Sequence, residues 1–341
     1  MAKKSIALIT SLKTKTFKFR FKCFINIIFY SILSLVFLLI FNKTKFTKFS
    51  KKIKEILTYR TPKNYGHEGV SGSLIRGLKQ LNIPFSVNDI NRDTNTVILL
   101  WTDEKELALI EDLKRNKKIE KIVTTPECDL FTSGLRFKFA THPLIDKVLV
   151  ACSWVKTKYE EKLSIAYQNC KHKIQPFASG VKVDETIWDN NFSKSCICYF
   201  KHTPINEKLI KMIEEKGIKV HCIEYYKYRF EDYMQLLEKV DFVVFNQNYI
   251  EKQGLAIAEA WAKNCPTFIN YDENEYGGVT APYLTANTGL FYHNFDELEK
   301  ILDEYIDQKQ AFLDKFSPQK WTLENMSDKS SAQELLNLLE I

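Results

Sequence analysis

The sequence predicts an α/β protein made of two doubly wound domains in series. Short apolar runs such as Thr96–Trp101 and Asp146–Ala151 have the length of buried parallel strands, and they alternate with amphipathic helical stretches. The same alternation resumes after a polar stretch from Val183 to Ser195, which we interpret as the interdomain linker. With 341 residues, 45% hydrophobic and 27% charged, the chain can bury two cores. Two such β-α arrays imply two parallel sheets wrapped by helices.

The first domain is predicted to span residues 55–182. Its first strand is placed at Glu55–Arg60, and Ser71 is expected to cap a helix with Leu74, Leu78 and Leu81 on one face. The remaining predicted elements are strands at Thr96–Trp101, Ile119–Val123, Asp146–Ala151 and Lys173–Phe177, an amphipathic stretch at Glu104–Arg115, and a helix at Ser153–Lys162.

The second domain is predicted to span residues 183–325, followed by a C-terminal helix at 326–341. Gly217 ends one of its helices, as glycine commonly does. The predicted strands are Cys196–Phe200, Ile218–Glu224, Asp241–Asn246 and Pro266–Ile269, and the helices are Glu207–Lys216, Phe230–Val240 and Gly254–Asn264, with a helical tail from Phe295 interrupted near Ser317.

The net charge of +7 combines two opposite parts. Residues 1–63 contain fifteen Lys or Arg and one acid, Glu55, whereas the remaining residues contain 34 bases and 41 acids. A nucleic-acid-binding body needs basic residues clustered on its folded face. The acidic body therefore argues against a nucleic-acid partner.

An uncharged stretch at residues 23–42 is long enough to span a bilayer as a helix, because a helix rises about 1.5 Å per residue. We interpret it as a membrane anchor between a basic tail (1–22) and a basic linker (43–54) that can lie on anionic lipid. A cleaved signal peptide would end in small residues, and this run ends in Leu-Leu-Ile-Phe-Asn-Lys. A buried core helix is the other alternative, which the basic flanks disfavour.

The orientation of this segment stays open. Seven bases precede it and six follow, so the charge difference that sets orientation is nearly nil. Eight scattered cysteines without a Cys-x-x-Cys pair indicate buried free thiols in a reducing compartment, which favours a cytosolic body. A single crossing would put the basic tail on the far side, whereas a monotopic or re-entrant segment, or a lumenal body, would avoid that.

The most informative stretch for chemistry runs from Asn248 to Pro266. Glu251 follows a predicted strand, and Gly254 opens a helix whose free N–H groups an anionic ligand could approach. Glu259 lies on the second turn among alanines, isoleucine and tryptophan, where a carboxylate is poorly hydrated and needs a partner such as ribose hydroxyls. A structural salt bridge is the alternative role for Glu259, and ordinary turn chemistry is the alternative for Gly254.

Glu251 and Glu259 match the E-x7-E pattern, and here the sequence resembles the retaining GT-B glycosyltransferases of the group-1 or family-4 type. Three further landmarks occur in the order of that family: the loop Pro62–Gly69, the strand and helix start Val148–Lys156 with its Ser-Trp-Val-Lys, and the crossover Pro176–Asp184. The resemblance covers roughly residues 55–325. It implies two Rossmann-like doubly wound domains with a donor site between them.

The resemblance also implies roles for individual residues. Glu251 would contact the donor sugar near the reacting centre, and the N–H groups at Gly254 and Leu255 would hold the donor diphosphate. Glu259 would accept hydrogen bonds from the ribose. The further donor-site residues that it implies are Lys201 for the diphosphate, Gln253 beside the motif glycine, Gly66 and Gly69 from the first domain, and Tyr225 near the nucleotide base.

The sequence departs from the family in two places. Lys201-His202 stands where an Arg/Lys pair is usual, and Gln253 replaces the common Phe before the motif glycine. His67 and His142 are further catalytic candidates, although a lone histidine is more often structural. No Asp-x-Asp occurs in the chain, so a bound divalent metal is not indicated, and we expect no cofactor besides the nucleotide-sugar substrate.

The function expected from these observations is a membrane-associated glycosyltransferase. It would move a sugar from a nucleotide sugar to a glycan or lipid-linked acceptor, in surface polysaccharide or glycoconjugate synthesis. A non-catalytic binding or scaffold protein with the same fold is the main alternative, and a sugar-nucleotide epimerase is a third.

Overall fold

The computed structural model describes residues 5–9, 67–87, 89–90, 93–100, 108, 111–112, 114–116, 119–124, 140–163, 165–184, 194–225 and 227–341. Element labels below count the helices and strands within these residues. The predicted strand at 55–60, the apolar stretch 23–42 and the basic linker 43–54 lie outside the described residues.

The N-terminal domain contains a parallel sheet of six described strands in the order β2-β1-β3-β4-β5-β6. The strands are β1 Ser5–Ile9, β2 Phe85–Val87, β3 Thr94–Leu99, β4 Lys121–Thr124, β5 Lys147–Val150 and β6 Ile174–Pro176. The helices are α1 His67–Gln80, α2 Ser153–Leu163 and α3 Ile165–Cys170. Alternating strands and helices therefore build the predicted doubly wound layer architecture.

Strand β1 corrects the prediction that residues 1–22 are only a basic tail. Ser5–Ile9 pairs with β2 on one side and β3 on the other, and the side chains of Ile6, Ala7 and Leu8 are fully buried. The sequence carries this signal, because no charge occurs between Lys4 and Lys13. Averaging the charge over the whole segment concealed a five-residue strand.

The C-terminal domain contains a parallel sheet of five described strands in the order β11-β10-β9-β7-β8. The strands are β7 Ser195–Lys201, β8 Lys219–Glu224, β9 Phe242–Gln247, β10 Thr267–Asn270 and β11 Gly289–Tyr292. The helices are α4 Glu207–Glu215, α5 Phe230–Leu237, α6 Leu255–Ala262, α7 Phe295–Asp307, α8 Lys309–Leu313 and α9 Pro318–Asn325. The four strands predicted here are confirmed, and β11 is an addition.

The last helix, α10 (Asp328–Leu339), packs on the N-terminal domain rather than on the domain that precedes it. Its Leu335 and Leu339 share a buried cluster with Leu74 and Leu78 of α1. Gly77 permits this approach, because a Cβ there would lie 2.1 Å from the backbone oxygen of Asp328. The helix therefore ties the end of the chain to the first domain.

The described cysteines all carry free thiols, and five of the six are buried. This agrees with the prediction of buried free thiols. In the same part of the chain, we find no helix with both the length and the apolar character that a bilayer crossing requires.

Candidate functional site

A cavity of about 290 Å³ lies between the two domains, at the side where helix α6 begins. Both domains and the crossover between them contribute to its wall. The lining residues are Gly69 and Arg76 from α1, Gly180, Val181, Lys182 and Asp184 from the crossover, and Phe230, Met234, Leu255, Glu259 and Lys263 from the C-terminal domain. A cleft of this kind, beyond the carboxyl ends of parallel strands, is the usual place for a ligand in doubly wound folds.

Helix α6 begins at the wall of this cavity, with Gly254 as its N-cap and Leu255 among the lining residues. Gly254 caps the helix in the left-handed region, at φ 78° and ψ 60°, where residues with a Cβ are strained. The first N–H groups of a helix have no acceptor within that helix, and the helix dipole adds partial positive charge there. The start of α6 at Gly254 and Leu255 therefore has the polarity that favours an anionic group.

Glu259 lies one turn further along α6 and also lines the cavity. Desolvation raises the pKa of its carboxyl to about 8, and the positive charge of Arg76 acts in the opposite direction. The sequence correctly indicated a poorly hydrated carboxylate. Near neutral pH, Glu259 is therefore mainly protonated until a partner stabilises its charge.

Arg76 is a site residue that the sequence analysis missed. Its guanidinium forms a bidentate salt bridge with Asp328 of α10, Nε to Oδ2 at 2.5 Å and Nη2 to Oδ1 at 3.0 Å. The Asp328 carboxylate is almost fully buried, whereas the Arg76 side chain is 43% exposed. The salt bridge fixes the fork with two of its five N–H groups, which leaves donors for a ligand in the cavity. Arg76 follows Gly69 by seven residues, so both lie on one helix face.

Lys201 and Glu251 meet at the carboxyl ends of the neighbouring strands β7 and β9. Lys201 Nζ donates a hydrogen bond to Glu251 Oε1 in a salt bridge that is largely shielded from solvent. The rings of Tyr225 and Tyr249 lie 4.8 and 5.2 Å from the same nitrogen, a cation–π geometry. The structure thus brings together three predicted site residues, Lys201, Glu251 and Tyr225.

Gln253 is placed differently from the other predicted donor-site residues. Its Oε1 accepts a hydrogen bond from the backbone N–H of Ser179 at 3.0 Å, and its Nε2 donates to the backbone oxygen of Ser179. Ser179 belongs to the crossover between the domains. The Gln253 amide is therefore engaged with the protein backbone, although it stands beside the motif glycine.

The structure describes the surroundings of His142, but not those of the His67 side chain or of Gly66. His142 Nε2 lies 2.9 Å from Glu111 Oε1, and its Nδ1 accepts from the N–H of Leu144 at 3.3 Å, so both ring nitrogens are engaged. His142 does not line the cavity, and neither do the predicted residues Lys201, Glu251, Gln253 and Gly254. His67 begins α1, but its side chain lies outside the described residues, as does Gly66. Across the described part of the chain, we find no group of three or more metal-ligating side chains.

Comparisons with known proteins identify the fold. No protein-family model matches the sequence, and no curated protein matches it. Among solved structures, the Anabaena protein HepE in complex with UDP is 12% identical with a TM-score of 0.52, over 82% of this chain and 97% of HepE. A glycosyltransferase from Rickettsia africae is also 12% identical with a TM-score of 0.52, over 100% of this chain and 98% of that one.

A second HepE structure, in complex with UDP and glucose, is similar at a TM-score of 0.50 and 12% identity, with the same coverage of both chains. At this level of identity, the similarity shows the fold alone. The protein thus has the two-domain α/β fold of these structures.

Proposed function

We propose that this protein is a glycosyltransferase that moves a sugar from a nucleotide sugar to a glycan or lipid-linked acceptor. The observation that carries the proposal is the interdomain cavity, which combines the open N-terminus of α6, the desolvated Glu259 and the fixed guanidinium of Arg76. The α6 N-terminus suits the diphosphate of a nucleoside diphosphate, Glu259 suits its ribose hydroxyls, and Arg76 adds hydrogen-bond donors at the same cavity. The fold shared with HepE, which binds UDP, makes UDP sugars the first donors to test.

The donor would extend along α6. Its diphosphate would bind the N–H groups at Gly254 and Leu255, with Lys201 supplying a full positive charge nearby. The ribose hydroxyls would donate to Glu259, which compensates the carboxylate for lost water. Arg76 would close the cavity from the N-terminal domain, so that donor binding engages both domains.

Glycosyl transfer at this site would depend on electrostatic stabilisation. The bond between the sugar C1 and the diphosphate breaks, the acceptor hydroxyl bonds to C1, and its proton passes to the departing diphosphate. Lys201 and the α6 N-terminus stabilise the charge that develops on the diphosphate, and Glu251 stabilises the positive charge on the sugar. Retention of the anomeric configuration is part of the proposal, on the basis of the E-x7-E resemblance.

Titration of the purified full chain with UDP and GDP, followed by donor-hydrolysis and transfer assays with a panel of nucleotide sugars, tests this function. We expect binding of at least one nucleotide, weakened about tenfold or more by Glu259→Ala, because the ribose then loses charge-assisted hydrogen bonds. Glu299→Ala is a matched control, since Glu299 pairs with Lys216 at the surface. Nucleotide binding without turnover would instead favour a binding module. Failure to bind any nucleotide in the panel would refute the proposal.

We also propose that residues 23–42 contact the membrane from one side only. Strand β1 ends at Ile9 and α1 begins at His67, and both belong to the N-terminal domain. A single bilayer crossing between them would place two parts of one folded domain on opposite sides of the membrane. Monotopic insertion, supported by the bases of 43–54 on anionic lipid, avoids that conflict. This proposal includes a cytosolic catalytic body.

Protease protection of tags at both ends of the full chain tests the topology in sealed vesicles. We expect the two tags to be cleaved or protected together, since both ends are on one side. Protection of only one tag would contradict one-sided insertion. Replacing residues 20–54 by a Gly-Ser linker should release the protein from membranes and preserve nucleotide binding, whereas a variant lacking residues 1–50 would also lose β1.

A further inference from the structure

The loop that carries Glu251, residues 248–254, is held by buried hydrogen bonds from outside its own domain. The indole Nε1–H of Trp154 donates to the backbone oxygen of Glu251 at 2.9 Å, and both residues are buried. Trp154 belongs to α2 of the N-terminal domain, 97 residues earlier in the chain. The backbone position of Glu251 is thus set by a side chain of the opposite domain.

The other end of the loop is held by the crossover. The two hydrogen bonds between the Gln253 amide and the backbone of Ser179 form a reciprocal pair, which fixes both position and orientation. The crossover is itself fastened to α10, because Ser331 Oγ donates to the oxygen of Ala178 at 2.6 Å. Gln253 therefore connects the Glu251 loop to the crossover between the two domains.

The indole of Trp154 is in turn fixed by the C-terminal domain. A Cβ at Gly278 would lie 2.7 Å from Trp154 Cδ2, so the backbone of the loop after β10 packs directly against the ring. Next to this contact, Tyr283 Oη donates to the backbone oxygen of Ala151 at 2.5 Å. The ring therefore has little freedom to reorient while its N–H keeps the bond to Glu251.

From these contacts, we infer that Trp154 and Gln253 are positioning residues, which hold the loop carrying Glu251 in place beside Lys201 through hydrogen bonds from outside its own domain. The inference rests on the proposed function and deepens it. Neither side chain needs to touch the substrate. Their effect on rate is indirect, since a displacement of about 1 Å at a reacting group can cost about 100-fold in rate.

Trp154→Phe tests the indole bond, because it removes the N–H and keeps an aromatic ring against Gly278. We expect kcat to fall about tenfold or more, while KM and nucleotide affinity change less than about twofold. Trp261→Phe is the matched control: its Nε1 donates to Thr267 Oγ1 at 3.0 Å, also in a buried setting within the C-terminal domain. Similar kcat losses in both variants would overturn the inference, because they would reflect general destabilisation.

Two substitutions test Gln253 in the same assay. Gln253→Met removes both hydrogen bonds at similar volume, whereas Gln253→Glu keeps an acceptor for the Ser179 N–H. We expect the loss of kcat to be larger for Gln253→Met than for Gln253→Glu, again with nucleotide affinity preserved. A loss of nucleotide binding in step with kcat would instead make Gln253 a donor-binding residue and overturn its positioning role.

Hydrogen–deuterium exchange of the full chain separates this inference from the proposed function. We expect faster exchange of the amides at 249–255 in Trp154→Phe than in Trp261→Phe. If the wild-type protein transfers no sugar, the proposed function fails. A faster exchange in Trp154→Phe would still show that the Trp154 hydrogen bond stabilises the loop at residues 248–254. Equal exchange in the two variants would refute it, whatever the activity.

Discussion

Glu259 gives the sharpest test of the site, because its charge state responds strongly to burial. Desolvation raises the pKa of its carboxyl from 4.5 to about 8 in the folded protein. Between these two pH values, the native state binds about one proton more than the unfolded state. Stability therefore decreases as pH rises through this range, by about 1.4 kcal/mol per pH unit.

The perturbation is Glu259→Gln, which keeps the shape and removes the titration. In the wild type, ionisation of Glu259 lowers the free energy of unfolding by about 1 kcal/mol at pH 5 and about 5 kcal/mol at pH 9, as calculated from the two pKa values. The variant should therefore gain stability relative to the wild type as pH rises. Burying the glutamine amide has a cost that does not depend on pH. It therefore changes the variant's stability equally at pH 5 and pH 9 and leaves the pH-dependent gain unchanged.

Urea unfolding of both proteins at pH 5, 7 and 9, without nucleotide, measures the effect. Glu299→Gln serves as the control, because Glu299 is an exposed surface glutamate that does not line the cavity. A gap between Glu259→Gln and the wild type that stays constant from pH 5 to pH 9 would refute the reasoning. With nucleotide present, ribose hydroxyls favour the ionised carboxylate, so wild-type affinity should rise toward pH 8 and that of Glu259→Gln should not.

Three further substitutions probe the rest of the site. Arg76→Ala should weaken nucleotide binding and shift the rise in affinity to higher pH, since Arg76 lowers the pKa of Glu259; titration calorimetry at several pH values measures both, and an unchanged profile would contradict it. Gly254→Ala should destabilise the fold by about 1 kcal/mol, because of its positive φ, and weaken nucleotide binding; equal affinity in calorimetry would argue against the α6 site. Lys201→Ala should lower the free energy of unfolding in urea by about 3 kcal/mol, because the Glu251 charge is left buried without its partner. Adding Glu251→Ala should recover the stability but not the sugar transfer. A Lys201→Ala variant that is inactive but as stable as the wild type would contradict this.

The sequence predicted eight of the eleven described strands, β3 to β10, for a common physical reason. Strands covered on both faces must be apolar, so Cys196–Phe200 and Asp241–Asn246 stand out as uninterrupted runs. Parallel strands end at the same sheet edge, which is why Lys201 at the end of β7 and Glu251 in the loop after β9 come together. The apolar runs in the sequence therefore predict both the strands and the sheet edge at which Lys201 and Glu251 lie.

Features that depend on tertiary contact could not be found in this way. The guanidinium of Arg76 is fixed by Asp328, 252 residues later, and nothing in the local pattern of α1 indicates that partner. The family resemblance implies a donor-site role for Gln253, which precedes Gly254 in the motif. Adjacency in the chain does not determine where a side chain points, and only the fold shows that this amide pairs with Ser179.

The charges at the site explain how an acidic body could accommodate an anionic donor. Three cations at or beside the cavity are already paired: Lys201 with Glu251, Arg76 with Asp328, and Lys263 with Asp184. Without a ligand, this pairing avoids the cost of isolated buried charges. On the proposed function, the diphosphate binds Lys201 and the sugar binds Glu251, so the Lys201–Glu251 ion pair is exchanged for two contacts with the donor. The dipole and N–H groups of α6 then supply the remaining attraction, which needs no net positive surface.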